Sequence, residues 1–142
     1  MKHFVWVTVG LVLIDQITKI LARMFFLTPI EVTPFFSLRM VENDGIAFSW
    51  PFPMPLLIVI TILFVVGISW LLHHDKFDHL ETPGALFILA GGIGNLIDRV
   101  IFSGVTDFLS FWNFPLFNFA DVFICFGIVL FLLPATGSQQ NA

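Results

Sequence analysis

The run Gly84-Ala85-Leu86-Phe87-Ile88-Leu89-Ala90-Gly91-Gly92-Ile93-Gly94-Asn95-Leu96-Ile97-Asp98-Arg99 is apolar as far as Gly94 and then turns polar. Its small residues let a helix approach its neighbours closely, the packing available where lipid rather than water surrounds a bundle. That accounts for the glycines but not for Asn95, Asp98 and Arg99, which helical spacing places near one face at the end of the run. A guanidinium and an amide held there form a donor array that can bind peptide carbonyls.

The rest of the chain shares this character. Of 142 residues, 58% are hydrophobic, 16% aromatic and 11% charged, and the mean hydropathy is +0.97. These values lie outside the range of soluble domains and inside that of integral membrane proteins. Against the roughly 20 residues a spanning helix needs, apolar stretches occur at about 4–26, 56–72, 84–99 and 118–133. The expected fold is an all-α membrane protein, with four transmembrane helices in one polytopic domain over residues 1–142. Lys2 and His3 before an apolar core resemble the start of a signal peptide. Asp15, Gln16 and Lys19 interrupt that core and no small-x-small site lies near Leu21 to Met24, so an uncleaved helix is expected.

Pro51, Pro53 and Pro55 mark the start of the second helix, Pro83 the start of the third, and Pro134 the end of the fourth. Between the first two helices, Phe36, Leu38 and Met40 alternate with Ser37, Arg39 and Val41, which is strand periodicity. A small β-rich surface segment is expected there. Between the third and fourth helices a short surface helix over Phe108 to Trp112, capped by Asp107, is expected. Thr136 to Ala142 reads as a frayed polar tail.

Four antiparallel spans bring the polar groups to one membrane face. Asp15, Gln16, Thr18 and Lys19 lie in the second half of helix one, Asn43, Asp44 and Gly45 in the first connection, and Asn95, Asp98 and Arg99 at the end of helix three. Asp107 follows, and Asn118 and Asp121 open helix four. Lys2 and Lys76 on one side oppose Arg23, Arg39 and Arg99 on the other, so the positive-inside rule does not decide the orientation. If the arginines are held in a site and discounted, both termini lie in the cytoplasm and the site faces outward. The net charge of −4 comes from few groups and Lys and Arg form no cluster, so nucleic acid has no electrostatic footprint here.

Each polar residue also has an ordinary structural explanation. Asp15 and Lys19, four apart, can form an ion pair within the membrane. Asp121 can cap helix four and Asp107 a surface helix, although Asn118, three residues before Asp121 on the same face, weighs against caps alone. His73, His74, Asp75, Asp78 and His79 lie at the opposite face and read as an exposed polar turn rather than a metal site. Cys125 reads as a small buried hydrophobe of helix four, and no serine sits beside a histidine, so nucleophilic catalysis has little support.

Five blocks nevertheless occur in an order that resembles the lipoprotein signal peptidases, the signal peptidase II family of bacteria. They are Asp15-Gln16-x-Thr18-Lys19, Asn43-x-Gly45-x-Ala47-Phe48, Gly91-Gly92-x-Gly94-Asn95-Leu96-x-Asp98-Arg99, Val105-x-Asp107-Phe108 and Asn118-x-Ala120-Asp121. The resemblance covers almost the whole chain. It implies an aspartyl endopeptidase of the bacterial cytoplasmic membrane that cleaves diacylglyceryl-modified prolipoproteins on the amino side of the lipidated cysteine. It implies Asp107 and Asp121 as the catalytic dyad, Asn43, Asn95, Arg99 and Asn118 near the substrate, and Asp15 with Lys19 as a supporting pair. A surface β-cradle and a periplasmic helix would correspond to the first and third connections. Neither cofactor nor metal is expected, the partners are prolipoproteins and membrane lipids, and the chain is expected to act as a monomer.

The implied chemistry is physically consistent. Two carboxyl groups about 3 Å apart cannot both ionise easily, so the pair holds one proton near neutrality. The ionised member can take a proton from an attacking water while the other donates toward the scissile carbonyl. Two other classes fit parts of the pattern: a transporter using Asp15, Lys19 or Asp121 as proton-coupled charges, and an assembly protein using the glycine face of helix three. The first leaves the block around Asn43 unexplained, the second the aspartates.

Overall fold

A computed structural model describes residues 2–45, 52–74, 81–112 and 114–133. Among them run α1 (Lys2–Phe25), β1 (Ile30–Thr33), β2 (Phe36–Asn43), α2 (Met54–His74), α3 (Glu81–Phe102), β3 (Val105–Phe111) and α4 (Phe119–Leu132). Ala47, Phe48, Pro51, Asp75, Asp78, His79, Pro134 and the tail from Thr136 lie outside the described residues.

The central helix is α3, against which α1, α2 and α4 all pack. Its glycines set the separations. A side chain at Gly84 would meet the Gly127 carbonyl of α4 at 2.8 Å, and one at Gly91 would strike the Ala120 carbonyl and come within 2.6 Å of Ile124. On another side a methyl at Gly94 would collide with the Asp15 carboxylate of α1, and one at Gly92 would press Val65 of α2 at 3.3 Å. Where the surroundings are hydrocarbon, such close approach is the main source of helix association. The outer helices, by contrast, turn large apolar side chains outward; Trp6, Leu63, Val66 and Leu132 are all exposed. In α2 only Leu57 is buried, a lipid-facing pattern.

Among the described residues, three helices are long and apolar enough to cross a membrane: Phe4–Phe25, Met54–His74 and Glu81–Phe102. The expected count of four full spans is therefore met in part. α4 is apolar but has 14 residues, about 21 Å at 1.5 Å per residue, short of a hydrocarbon core of about 30 Å. Pro53 accepts from the Leu56 and Leu57 amides at the start of α2, as the proline spacing predicts.

The surface segment is a three-stranded antiparallel sheet in the order β1-β2-β3. The strand expected at Phe36 to Val41 is present as β2. The short surface helix is not: Val105–Phe111 is β3. Val105, Thr106, Phe108 and Phe111 are β-branched or aromatic, and the segment pairs with β2 in the register Asn43↔Val105, Val41↔Asp107 and Leu38↔Leu109. Local capping signals at Asp107 lose to a ladder that only the folded chain supplies. The sheet is tied to the bundle where Met40 N–H donates to the Phe26 carbonyl at 2.8 Å, just past the end of α1.

Filling the α3–α4 contact tests this packing. Gly91→Val is expected to lower stability by about 2 kcal/mol or more through overpacking, seen as a lower melting temperature in detergent. Gly10→Ala, with nothing within 4 Å of the added methyl, is expected to be neutral or to stabilise by about 0.5 kcal/mol.

Candidate active site

Asp107 stands on β3 and Asp121 in the first turn of α4, and the chain between them doubles back. The Phe108 and Leu109 amides donate to the Phe117 carbonyl at 3.0 and 2.9 Å, and Phe117 N–H returns a bond to Leu109 at 3.1 Å. This bridge delivers Asn118 to the side of Asp107.

Asn118 then links the two acids. As N-cap of α4 its Oδ1 accepts from Asp121 N–H at 3.1 Å, while Asp121 Oδ2 accepts from Asn118 N–H at 3.1 Å, a reciprocal capping box. Its Nδ2 donates to Asp107 Oδ1 at 2.7 Å. Asn43, at the end of β2, donates to the other oxygen, Asp107 Oδ2, at 3.0 Å, and its own Oδ1 accepts from Gly45 N–H at 3.1 Å. Asn95 of α3 donates to Asp121 Oδ1 at 2.9 Å. Capping and clustering are thus the same arrangement, and Asp121 serves both.

Behind this layer lies a buried ion cluster. Lys19, with no solvent exposure, donates to Asp15 Oδ2 and Asn95 Oδ1, both at 2.9 Å, and lies 3.6 Å from Asp98 Oδ2. Asp15 Oδ1 accepts the Ala120 amide at 2.9 Å, one of the N-terminal donors of α4 that no carbonyl of the helix can satisfy. Asp98 Oδ2 accepts the Thr106 amide at 2.9 Å, fixing β3 one residue from Asp107. Arg23 Nη2 approaches the same oxygen at 3.1 Å without the angle of a directed hydrogen bond, so the contact is an ion pair, and the guanidinium stacks 3.7 Å over Phe102. Gln16 joins Asp15, the Gly94 carbonyl and Asp98.

The structure therefore brings together Asp15, Lys19, Asn43, Asn95, Asn118, Asp107 and Asp121 through direct contacts. Arg99 is half-buried in the fields of Asp121, Asp107 and Asp98, and its Nε has no acceptor among the described residues. Asp98 and Gln16, which the sequence gathers at the same membrane face without a role, join the cluster, as does Arg23, for which the available signal is a cation four positions beyond Lys19. Asp44 and Arg39 are exposed and stand apart. Cys125 is exposed rather than buried; with Val122, Phe126 and Val129 it lines an apolar groove of about 400 Å³ that begins at Asp121. A second apolar groove, of about 380 Å³ between Val5, Thr8, His73 and Leu86, shares no residue with the carboxylates.

A family model described as "Signal peptidase (SPase) II" matches residues 7–136. The chain belongs to the signal peptidase II family. It is 39% identical to the lipoprotein signal peptidase of Bartonella bacilliformis, over 94% of this chain and 88% of the relative. Identity to the lipoprotein signal peptidase of Coxiella burnetii is 34%, over 92% and 87%. A bacterial membrane enzyme solved by the in meso method at 2.3 Å superposes with a TM-score of 0.84 and 27% identity, over 92% of this chain and 85% of that one. Membership in the signal peptidase II family makes this a multi-pass membrane peptidase, and the transporter and assembly readings lose their support.

Burial pushes the Asp107 carboxyl up from 3.8 to about 6; the Asp121 charge acts the same way, against the Asn43 and Asn118 amides and the Lys19 ammonium. The folded chain then holds a proton that the unfolded chain releases between pH 3.8 and about 6. Stability from this group is full below that window and is lost as pH rises through it. Asp107→Asn cannot ionise, so its melting temperature is expected to vary less than that of the wild type between pH 4 and 6.

Proposed function

We propose that the chain is an aspartyl endopeptidase that removes signal peptides from diacylglyceryl-modified prolipoproteins, cutting on the amino side of the lipidated cysteine, with Asp107 and Asp121 as its dyad. The observation that carries this reading is the Asn118 side chain, which binds Asp107 through its NH2 group and the first turn of α4, at Asp121, through its oxygen. Two acids on different elements are held by one amide, beside a cation, Arg99, and at the mouth of an apolar groove.

In this mechanism one carboxyl is ionised and the other protonated. The ionised member takes a proton from water as the water oxygen attacks the scissile carbonyl, and the protonated member donates to the carbonyl oxygen. Collapse of the tetrahedral intermediate returns a proton to the leaving amine and restores the shared proton. Asn43 and Asn95 keep the carboxyl groups oriented, and Arg99 offers donors to a peptide carbonyl. Lipid chains lie against apolar faces of the bundle and hold the peptide bond at the dyad. α4 is a fourth, short span whose N-terminus starts below the membrane surface; four spans put both termini on one side, which in this reading is the cytoplasm, with the site toward the outer face. The chain acts as a single domain and a monomer in the bacterial cytoplasmic membrane.

Cleavage of a diacylglyceryl-modified precursor in detergent tests the reading. Asp107→Asn and Asp121→Asn are each expected to lower kcat by about 10³ or more, the unlipidated precursor to be cut far more slowly, and a chelator to leave the rate unchanged. Near-normal turnover by either variant would remove the dyad.

A further inference from the structure

A fully buried lysine forces the orientation of an amide that touches one of the two acids. Lys19 can only donate, so the Asn95 atom 2.9 Å from its Nζ is the side-chain oxygen. The NH2 group of Asn95 is thereby turned to Asp121 Oδ1, 2.9 Å away. Among the described residues, no cation backs the amides that bind Asp107. Its two amides, from Asn43 and Asn118, are pinned through their oxygens by the neutral backbone N–H groups of Gly45 and Asp121. The two acids thus receive amide donors of the same kind, but only the donor to Asp121 is backed by a cation.

We propose that Lys19 is a positioning residue that acts through Asn95, fixing and polarising its amide so that Asp121 carries the negative charge of the pair and activates the water while Asp107 holds the proton. The assignment rests on the dyad reading above. Other charges face Asp121 as well: Arg99 from α3 and Asp107 from β3, while Asp15 of α1 binds the neighbouring Ala120 amide. Lys19 also acts on Asp107 through its charge, and all of these groups remain in a Lys19 variant. The high proton affinity of Asp107, about 6, agrees with its holding the proton.

The test is the pH dependence of kcat for a diacylglyceryl-modified precursor with the full chain in detergent. Lys19→Gln can still donate to the Asn95 oxygen but lacks the charge. It is expected to lower kcat by about tenfold to a hundredfold and to move the acid limb of the profile upward by about one pH unit, with KM little changed. Lys19→Arg, which keeps charge and donors, is expected to return the acid limb toward its wild-type position. A folded Lys19→Gln protein whose acid limb stays at the wild-type pH overturns the proposal, as does a limb that moves equally in Lys19→Arg. If Lys19 variants fail to fold, Asn95→Ala removes the donor to Asp121 without adding a charge and leaves Lys19 paired with Asp15; wild-type turnover there overturns the proposal, and a loss of at least tenfold supports it. Asp107→Asn and Asp121→Asn serve as controls: if both cleave normally the dyad reading fails, whereas inactive controls beside an unmoved acid limb in Lys19→Gln reject the relay alone.

Discussion

An ammonium group with no solvent exposure inside an apolar bundle is the constraint on which the other features depend. Lys19 has three N–H groups, and burying any of them unpaired would cost several kcal/mol. Asp15, Asn95 and Asp98 surround it, and each is drawn into a second attachment. Asp15 reaches the first turn of α4, Asp98 the backbone of β3, and Asn95 the Asp121 carboxylate. One cation thus fixes α1, α3, α4 and the sheet relative to one another, and its two carboxylates are balanced by Lys19 itself and by Arg23. Such a cluster does little for net stability. Its worth lies in the single geometry it accepts.

The same economy governs the three asparagines. Each presents its oxygen to an obligatory donor, Lys19 Nζ, Asp121 N–H or Gly45 N–H, and so must aim its NH2 group at a carboxylate. Aspartate is nearly isosteric with asparagine yet has no donor to offer, which gives a physical reason for amides at these positions. Both acids receive hydrogen bonds on both oxygens from groups whose own orientation is fixed, so the position of each carboxyl group is preorganised.

Much of this was legible in the sequence because membrane burial makes polar residues conspicuous. The Asp15–Lys19 spacing, the glycines of α3 and the alternation at Phe36 to Val41 each identify a local pattern, and the topology argument gathers the polar groups at one end. β3 was not legible, since Val105–Phe111 becomes a strand only by pairing with β2, more than sixty residues away in sequence. The fourfold attachment of Asp98, to Lys19, Arg23, Thr106 and Gln16, was equally hidden, as it depends on where Thr106 and Gln16 arrive. The exposure of Cys125 follows from α4 turning its other side, through Gly127 and Ala120, to α3.

The bridge between Leu109 and Phe117 changes what the fourteen-residue separation of the two aspartates means. With that bridge closed, Asp107 and Asn118 are held by the paired backbone, and the described residues Trp112 and Phe114 to Leu116 lie in the connection between its two sides. Lengthening such a connection costs only about 0.6 kcal/mol for each doubling of its length. The spacing along the chain is therefore a free variable, whereas the offset from each aspartate to the bridge, two residues on one side and four on the other, is the quantity that the geometry fixes.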